Sequence, residues 1–263
     1  MVETTRSTDP HDYQHRPEPI GAMAKRFADG FVIPPHHHVR DQLLYATNGV
    51  MRVRTDDEAW IVPPNGAAYI RAGTRHAVSM HGNVDMRTLY IDPQGTRWNG
   101  PALRVVAVSG LLRELICALI EEPVSYGIGG RGSLIARLIL EEITRAPALS
   151  LHIPLPRDSR LQRVCAELIA DPSDRRTLDA WSDVAGASAR TLARLFKRDL
   201  QMSFVQWRQR VRFQNALEDL SRGLPISKVA DRHGYRSASA FSAAFAKATG
   251  RPPSKVAPDR VPS

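Results

Sequence analysis

The sequence predicts an α+β multidomain protein. An N-terminal antiparallel β-barrel with a helical pair is followed by an all-α domain built on two helix-turn-helix units. Three observations predict it. Residues 19–108 hold short apolar runs separated by turn residues, the apolar period becomes helical at 109, and one glycine-centred helical pattern occurs twice between 178 and 245. A chain of 263 residues is comfortable for two domains, and a hydrophobic content of 43% supplies a core for each.

Residues 1–18 are polar, with Pro10 and Pro17, and read as a poorly ordered tail. From 19 to 108, strands are expected at Gln42–Thr47, Val50–Thr55, Ala67–Ile70 and Met86–Ile91. Asn48-Gly49 between the first two is a tight-hairpin signal, and Pro63-Pro64-Asn65-Gly66 is a second turn. Many short strands at close spacing suggest a closed or sandwiched antiparallel barrel.

Residues 109–145 form the helical pair. Leu111, Leu112, Leu115, Ile116 and Leu119 share a face, and after the break at 127–132 so do Leu134, Ile135, Leu138, Ile139 and Ile143. Both stripes suit packing on the barrel, a homodimer interface, or both. Residues 146–157, with Pro147, Pro154 and Pro156, read as a linker, and 158–258 as helical throughout.

The duplicated pattern aligns on its glycines. Leu178 and Trp181 match Ile226 and Val229, Gly186 matches Gly234, and Leu192 and Phe196 match Phe241 and Phe245. The glycines suit a left-handed turn, Ser188 and Ser237 suit helix N-caps, and residues four apart bury together. Phe204, Trp207, Val211 and Leu217 mark a long helix between the copies. A helix-turn-helix places its second helix in a DNA major groove, and two units on one face of DNA should stand about 34 Å apart. Charge agrees. Residues 157–263 carry 20 Lys and Arg against 11 Asp and Glu, whereas residues 1–156 carry 16 of each. The positive excess therefore lies wholly beside the duplicated pattern, as a polyanion-binding domain requires.

About a hundred residues from 158 resemble the DNA-binding domain of AraC/XylS-family transcription regulators. The resemblance includes Arg190-Thr-Leu-Ala-Arg-Leu-Phe-Lys, Arg212-Phe-Gln-Asn-Ala216 and Gly234-Tyr-Arg-Ser-Ala-Ser-Ala-Phe241. It implies base reading from the exposed face of each second helix. On the first, that face holds Arg190, Ala193 and Arg194, and arginine can pair bidentately with guanine. On the second it holds Ala238, Ser239, Ser242 and Ala243, too short for such pairing, so the first helix should dominate readout. The second should add phosphate contacts through Arg236, Ser237 and Lys247. Gln201 stands where the second copy has Gly250 and the family usually has glycine, which leaves that helix end open.

In the N-terminal part, His36-His37-His38, Gln42 and Gly49 resemble the first cupin motif, with Gln42 in place of its acid, and Gly73-Thr-Arg-His76 resembles the second. The resemblance implies a cupin-like jelly roll that senses a small effector and signals to the DNA-binding domain. On strand alternation, His36 and His38 point inward together and His37 away. With His76, and Gln42 as the remaining motif position, they form a candidate site for a divalent transition metal such as Zn or Ni, the only cofactor suggested. Histidines that merely line a pocket fit the same spacing. Candidate effector-contacting residues are Tyr45, Trp60, Tyr69 and Arg87, with Met51 and Arg52 as further wall positions.

The function expected is therefore a sequence-specific, effector-controlled transcription regulator, not an enzyme. Its partners would be a double-stranded DNA operator, a small-molecule or metal effector, a second copy of the chain, and RNA polymerase if it activates. A metal-dependent cupin enzyme fused to a DNA-binding domain is the alternative; the lost acid at Gln42 and the lack of another acid–base pair argue against it. An alkyl-accepting repair protein needs an activated cysteine. Cys117 and Cys165 instead sit far apart in apolar helical stretches. No signal segment and no run of about 18 apolar residues is seen, so a soluble, cytoplasmic, non-membrane protein is expected.

Overall fold

The computed structural model describes residues 7–64, 66–96, 98, 100–127, 129–149, 152–249 and 252–255. Asn65 and Gly250, named above, lie outside the described residues. The strands are β1 (Ile20–Phe27), β2 (Val32–His36), β3 (Asp41–Ala46), β4 (Val50–Arg54), β5 (Glu58–Val62), β6 (Gly66–Ile70), β7 (His76–His81), β8 (Val84–Ile91), β9 (Leu103–Ala107) and β10 (His152–Pro154). The helices are α1 (Gly110–Glu121), α2 (Arg131–Arg145), α3 (Ser159–Ala170), α4 (Leu178–Ala185), α5 (Ala189–Leu200), α6 (Phe204–Ser221), α7 (Ile226–Arg232) and α8 (Ala238–Thr249). The chain forms two compact units, one of residues 1–53 and 62–150, the other of residues 54–61 and 151–263.

In the first unit one antiparallel sheet runs β1-β8-β3-β6-β9, and in a second sheet β4, β7 and β2 are neighbours. Two such sheets are consistent with a jelly roll rather than a single closed barrel. Their alternation decides which residues face what. Tyr45 pairs with Arg87 and Leu43 with Tyr69, so these four share one face of the first sheet. Leu43, Tyr45, Tyr69, Leu89 and Ile91 are buried there against Leu112, Ile116 and Leu119 of α1 and Ile135, Ile139 and Ile143 of α2. Gln42, Leu44, Met86 and Tyr90 take the opposite face.

Three expectations need correction. Asn48-Gly49 does turn, and Gly49 at φ +78 would drive a Cβ to 2.6 Å from the Asn83 carbonyl oxygen. It does not close a hairpin, because β3 pairs with β6 and β8 while β4 lies in the other sheet. Residues 7–18 are not a loose tail. Tyr13, wholly buried, stacks on Tyr90 at 5.8 Å, and the buried Arg40 donates to the carbonyls of Gln14, Arg16 and Glu18. Residues 146–157 are held at both ends: Leu149 N–H donates to Val105, and β10 pairs with β5.

Among its described residues the second unit is helical apart from β5 and β10 and the turns between elements. Trp181, Leu192, Phe196, Trp207 and Val211 form one core. Val229, Phe241 and Phe245 are buried in the second copy, with Phe213 against Phe245 at 5.7 Å. The long connecting helix α6 opens with a capping box between Ser203 and Gln206. Gln201 takes the left-handed conformation at φ 54, so it performs the role glycine performs at Gly186 (φ 65). Among the described residues no helix is long and apolar enough to cross a membrane.

Candidate nucleic-acid interface and effector cavity

The two helix-turn-helix units are built alike. α4 ends on Gly186 and α5 starts from Ser188, whose Oγ accepts from the Thr191 N–H at 3.3 Å. α7 leads through Gly234 (φ 72) to Ser237, whose Oγ accepts from the Ala240 N–H at 3.1 Å. The apolar faces of α5 and α8 are buried, which turns the opposite faces outward.

On α5 the outward residues are Arg190, Ala193, Arg194 and Lys197, all exposed. Arg190 and Arg194 form no ion pair among the described residues, unlike Arg198, which is bound by Asp199 at 2.6 Å. On α8, Ser239 and Ala243 are exposed, whereas Ala238 and Ser242 are half-buried. The Ser242 hydroxyl is spent on the Ala238 carbonyl at 2.8 Å. Arg236, Ser237 and Lys247 are exposed around them. The two outward faces therefore differ as the sequence implies, with long free cations on α5 and short side chains on α8.

The first unit holds a cavity of about 870 Å³ between its sheets. Such a volume suits a small ligand. Its walls are mainly apolar, with Met23, Phe27, Ile33, Leu44, Val78 and Met86 among them. His36, His38 and Gln42 line it, and the docked N-terminal segment contributes Pro10 and Gln14.

The histidines come together through strand register. His36 on β2 is the direct cross-strand partner of His76 on β7, after an irregularity between Ile33 and His36. The His36 ring lies 4.4 Å from that of His76 and 4.8 Å from that of His38. One nitrogen from each of the three rings falls within 4.8 Å of the others. His36 Nδ1 bonds the Pro34 carbonyl at 2.8 Å and His76 Nδ1 the Thr74 carbonyl at 2.9 Å. Those bonds place the ring protons on Nδ1 and leave the Nε2 lone pairs available. The Nε2 atoms of His38 and His76 are buried without a hydrogen-bond partner among the described residues. Burial lowers His38 to about 3, helped by the neighbouring His36 and His76, and lowers His76 to about 4. Both stay neutral, the form that ligates metals. A metal about 2.1 Å from each nitrogen needs them about 3–3.5 Å apart, so the rings would draw together slightly. Gln42 donates to Thr88 Oγ1 at 3.1 Å, and its buried Oε1 has no hydrogen-bond partner among the described residues, which leaves it able to act as a further donor. His37 is exposed at the rim.

The effector-contacting residues expected from sequence do not line this cavity. Tyr45, Tyr69 and Arg87 lie on the opposite face of the sheet, and the Tyr69 hydroxyl donates to Asp41 at 2.5 Å. Trp60 belongs to the second unit, where its ring lies 4.8 Å from that of His152 in a tilted contact. The missed wall residues had a legible signal. If Gln42 points inward, Leu44 must follow it and Tyr45 cannot.

Comparison with known proteins agrees with this division. Residues 181–258 match the family described as helix-turn-helix domain, and residues 25–92 match the cupin domain. The chain is 28% identical over 227 residues to the HTH-type transcriptional regulator NimR of Escherichia coli, covering 86% of this chain and 83% of that protein. It is 34% identical over 120 residues to the HTH-type transcriptional regulator RipA of Corynebacterium glutamicum, covering 46% of this chain and 34% of that protein. Among solved structures, ToxT of Vibrio cholerae matches 90% of this chain and 97% of its own, at 9% identity and a TM-score of 0.37. The chain thus carries a helix-turn-helix domain and a cupin domain, and over most of its length it is similar to an HTH-type transcriptional regulator.

Proposed function

We propose that the protein binds a double-stranded operator through α5 and α8, and that an effector in the cavity of the cupin domain controls that binding. The observation that carries this reading is the pair of capped helix-turn-helix units with Arg190 and Arg194 exposed on an outward face and without an ion pair among the described residues. α5 reads bases, and α8 with Arg236, Ser237 and Lys247 holds the phosphate backbone. Control works by linkage: an effector that prefers one arrangement of the protein shifts the population towards it and changes DNA affinity by the same factor.

The cavity supports two kinds of effector. Its apolar walls suit an uncharged, largely apolar small molecule. The three histidines, with Gln42 beside them, supply the nitrogen and oxygen donors that a Zn or Ni ion takes. A bound metal would offer a Lewis-acid site to a ligand's donor atom, and Met23, Leu44 and Met86 would hold the rest of that ligand away from water. The reading is of a sensor and not an enzyme, since the motif's acid is replaced by Gln42. An operator as partner fits a cytoplasmic protein.

α1 and α2 suit a homodimer interface. Leu111, Leu134 and Leu138 remain 50–55% exposed, while the other halves of their stripes are buried on the sheet. Joining a partner would cover them. RNA polymerase is a partner if the regulator activates.

A thermal-shift screen of divalent metals and apolar compounds tests the sensing, because a ligand of the folded state raises its melting temperature. Leu44→Trp, which fills the cavity, should abolish the shift for an apolar compound. A compound that stabilises both proteins equally contradicts the assignment.

A further inference from the structure

The second unit contains a depression of about 360 Å³ lined by four arginines, Arg175, Arg208, Arg212 and Arg236, against one acid, Asp231. Its position is unusual within the duplicated architecture. Arg175 stands two residues before Thr177, the N-cap of α4 in the first helix-turn-helix. Arg236 lies in the turn between α7 and α8 of the second. Arg208 and Arg212 are one turn apart on α6, the helix that joins the two copies.

Two of these cations are fixed and two are free. Arg212 Nε donates to the Pro172 carbonyl and Nη2 to that of Asp174, both at 2.9 Å. Arg208 Nη1 donates to the Arg176 carbonyl at 3.0 Å, and its guanidinium lies over the Phe204 ring at 4.8 Å. Neither is neutralised by a carboxylate through these bonds. Arg175 and Arg236 are exposed and make no hydrogen bond or ion pair among the described residues. Partial burial lowers the pKa of Arg212, and the charges of Arg208 and Arg175 lower it further. Tyr235 and Asp174 oppose that shift, but the burial and the neighbouring cations outweigh them, and four arginines against one lining acid leave a positive excess that an anion would relieve. Guanidinium groups match phosphate oxygens through paired N–H donors.

We infer that this depression is a binding site for a backbone phosphate of duplex DNA, shared by the two helix-turn-helix units. Because its arginines come from both units and from the helix between them, one phosphate there ties the units to a common register on the duplex without reading a base. The inference rests on the reading of this domain as a DNA binder. Inorganic phosphate has the same chemistry and is the other source of such an anion.

The test uses the full chain and a duplex that the wild type selects from a random library. Affinity is measured between 50 and 300 mM KCl for wild type, Arg175→Ala, Arg236→Ala and the double variant. Arg212 is left intact because it braces the 172–174 loop. Loss of one phosphate contact flattens the slope of log affinity against log salt by about 0.9. The double variant should show that change, weaker binding at every salt concentration tested, and unaltered base preference. Arg175→Lys with Arg236→Lys, which keeps the charges, should restore much of the slope.

If the wild type binds DNA and the double variant has the same slope, or a changed base preference, the shared phosphate site is wrong and the DNA-binding reading survives. Failure of the wild type to bind any duplex removes both. A thermal shift with inorganic phosphate that the double variant loses, with DNA binding untouched, assigns the site to a free anion and overturns the inference.

Discussion

Ser188 and Ser237 make equivalent bonds in the two halves of the DNA-binding domain. Each opens the outward helix of its unit, and each side-chain oxygen accepts from the backbone N–H three residues on, at 3.3 Å for Thr191 and 3.1 Å for Ala240. A capping side chain lost to alanine costs about 1 kcal/mol. Ser188→Ala and Ser237→Ala should each lower stability by about that amount in urea unfolding followed by tryptophan fluorescence, and Ser→Asp at either position should retain most of it. A silent Ser237→Ala would mean that the second unit is not held by its cap.

Trp181 has a different weight. It is wholly buried, packs in the core of the first helix-turn-helix, and carries the Arg176 guanidinium 3.6 Å from its ring centroid. Trp181→Ala should cost about 3–5 kcal/mol through the cavity it leaves, enough to unfold the first helix-turn-helix. Loss of helical circular dichroism together with DNA binding would be the result. Arg176→Ala, which removes this cation and its ion pair with Asp174 at 2.8 Å, should cost only about 1 kcal/mol.

The histidines of the second unit predict a pH dependence. His152 and His233 are held below the ordinary histidine value, each first by burial. Arg210 then pushes His152 down while Glu58 opposes, and for His233 the hydrogen bond and charge of Asp219 oppose while Arg232 and Arg212 assist. A lowered value means that the unfolded chain takes up a proton near its ordinary value of about 6.5 while the folded chain does not. Their contribution to stability is therefore complete above that pH and shrinks as pH falls below it. Melting temperature should decline from pH 7 to pH 5. A flat or rising profile across that window would show that burial does not control these rings.

The histidine cluster predicts metal binding that depends on all three rings. Dialysed protein should take up one equivalent of Zn or Ni, read by elemental analysis. His38→Ala and His76→Ala should each weaken it by at least about tenfold, the scale of losing a ligand or its support. Full retention by the double variant would place the metal elsewhere.

Much of this was legible in the sequence, and the rest was not for identifiable reasons. The helix-turn-helix pair was readable because its signals are local: glycine, cap and apolar spacing lie within twenty residues of one another. Four strands of the first unit were readable by composition. The pairing of Glu58–Val62 with His152–Pro154 was not, since nothing local joins segments so far apart in the chain. His36, His38 and His76 were grouped correctly because motif spacing carries strand alternation with it. Tyr45, Tyr69 and Arg87 were misplaced because residue type was used without fixing the parity of β3, β6 and β8. The docking of Tyr13 and Gln14 under Arg40 had no sequence signal beyond a single buried aromatic in a polar segment.

The division of labour between α5 and α8 is tested most directly by selecting duplexes from a randomised library with the full-length protein. Wild type should enrich two short segments about ten base pairs apart, one of them strongly specified. Arg190→Ala with Arg194→Ala should flatten that strong segment by about 1–3 kcal/mol per lost contact, whereas Ser239→Ala should leave both segments unchanged. Base preference that survives the arginine substitutions and disappears with Ser239→Ala would contradict the account.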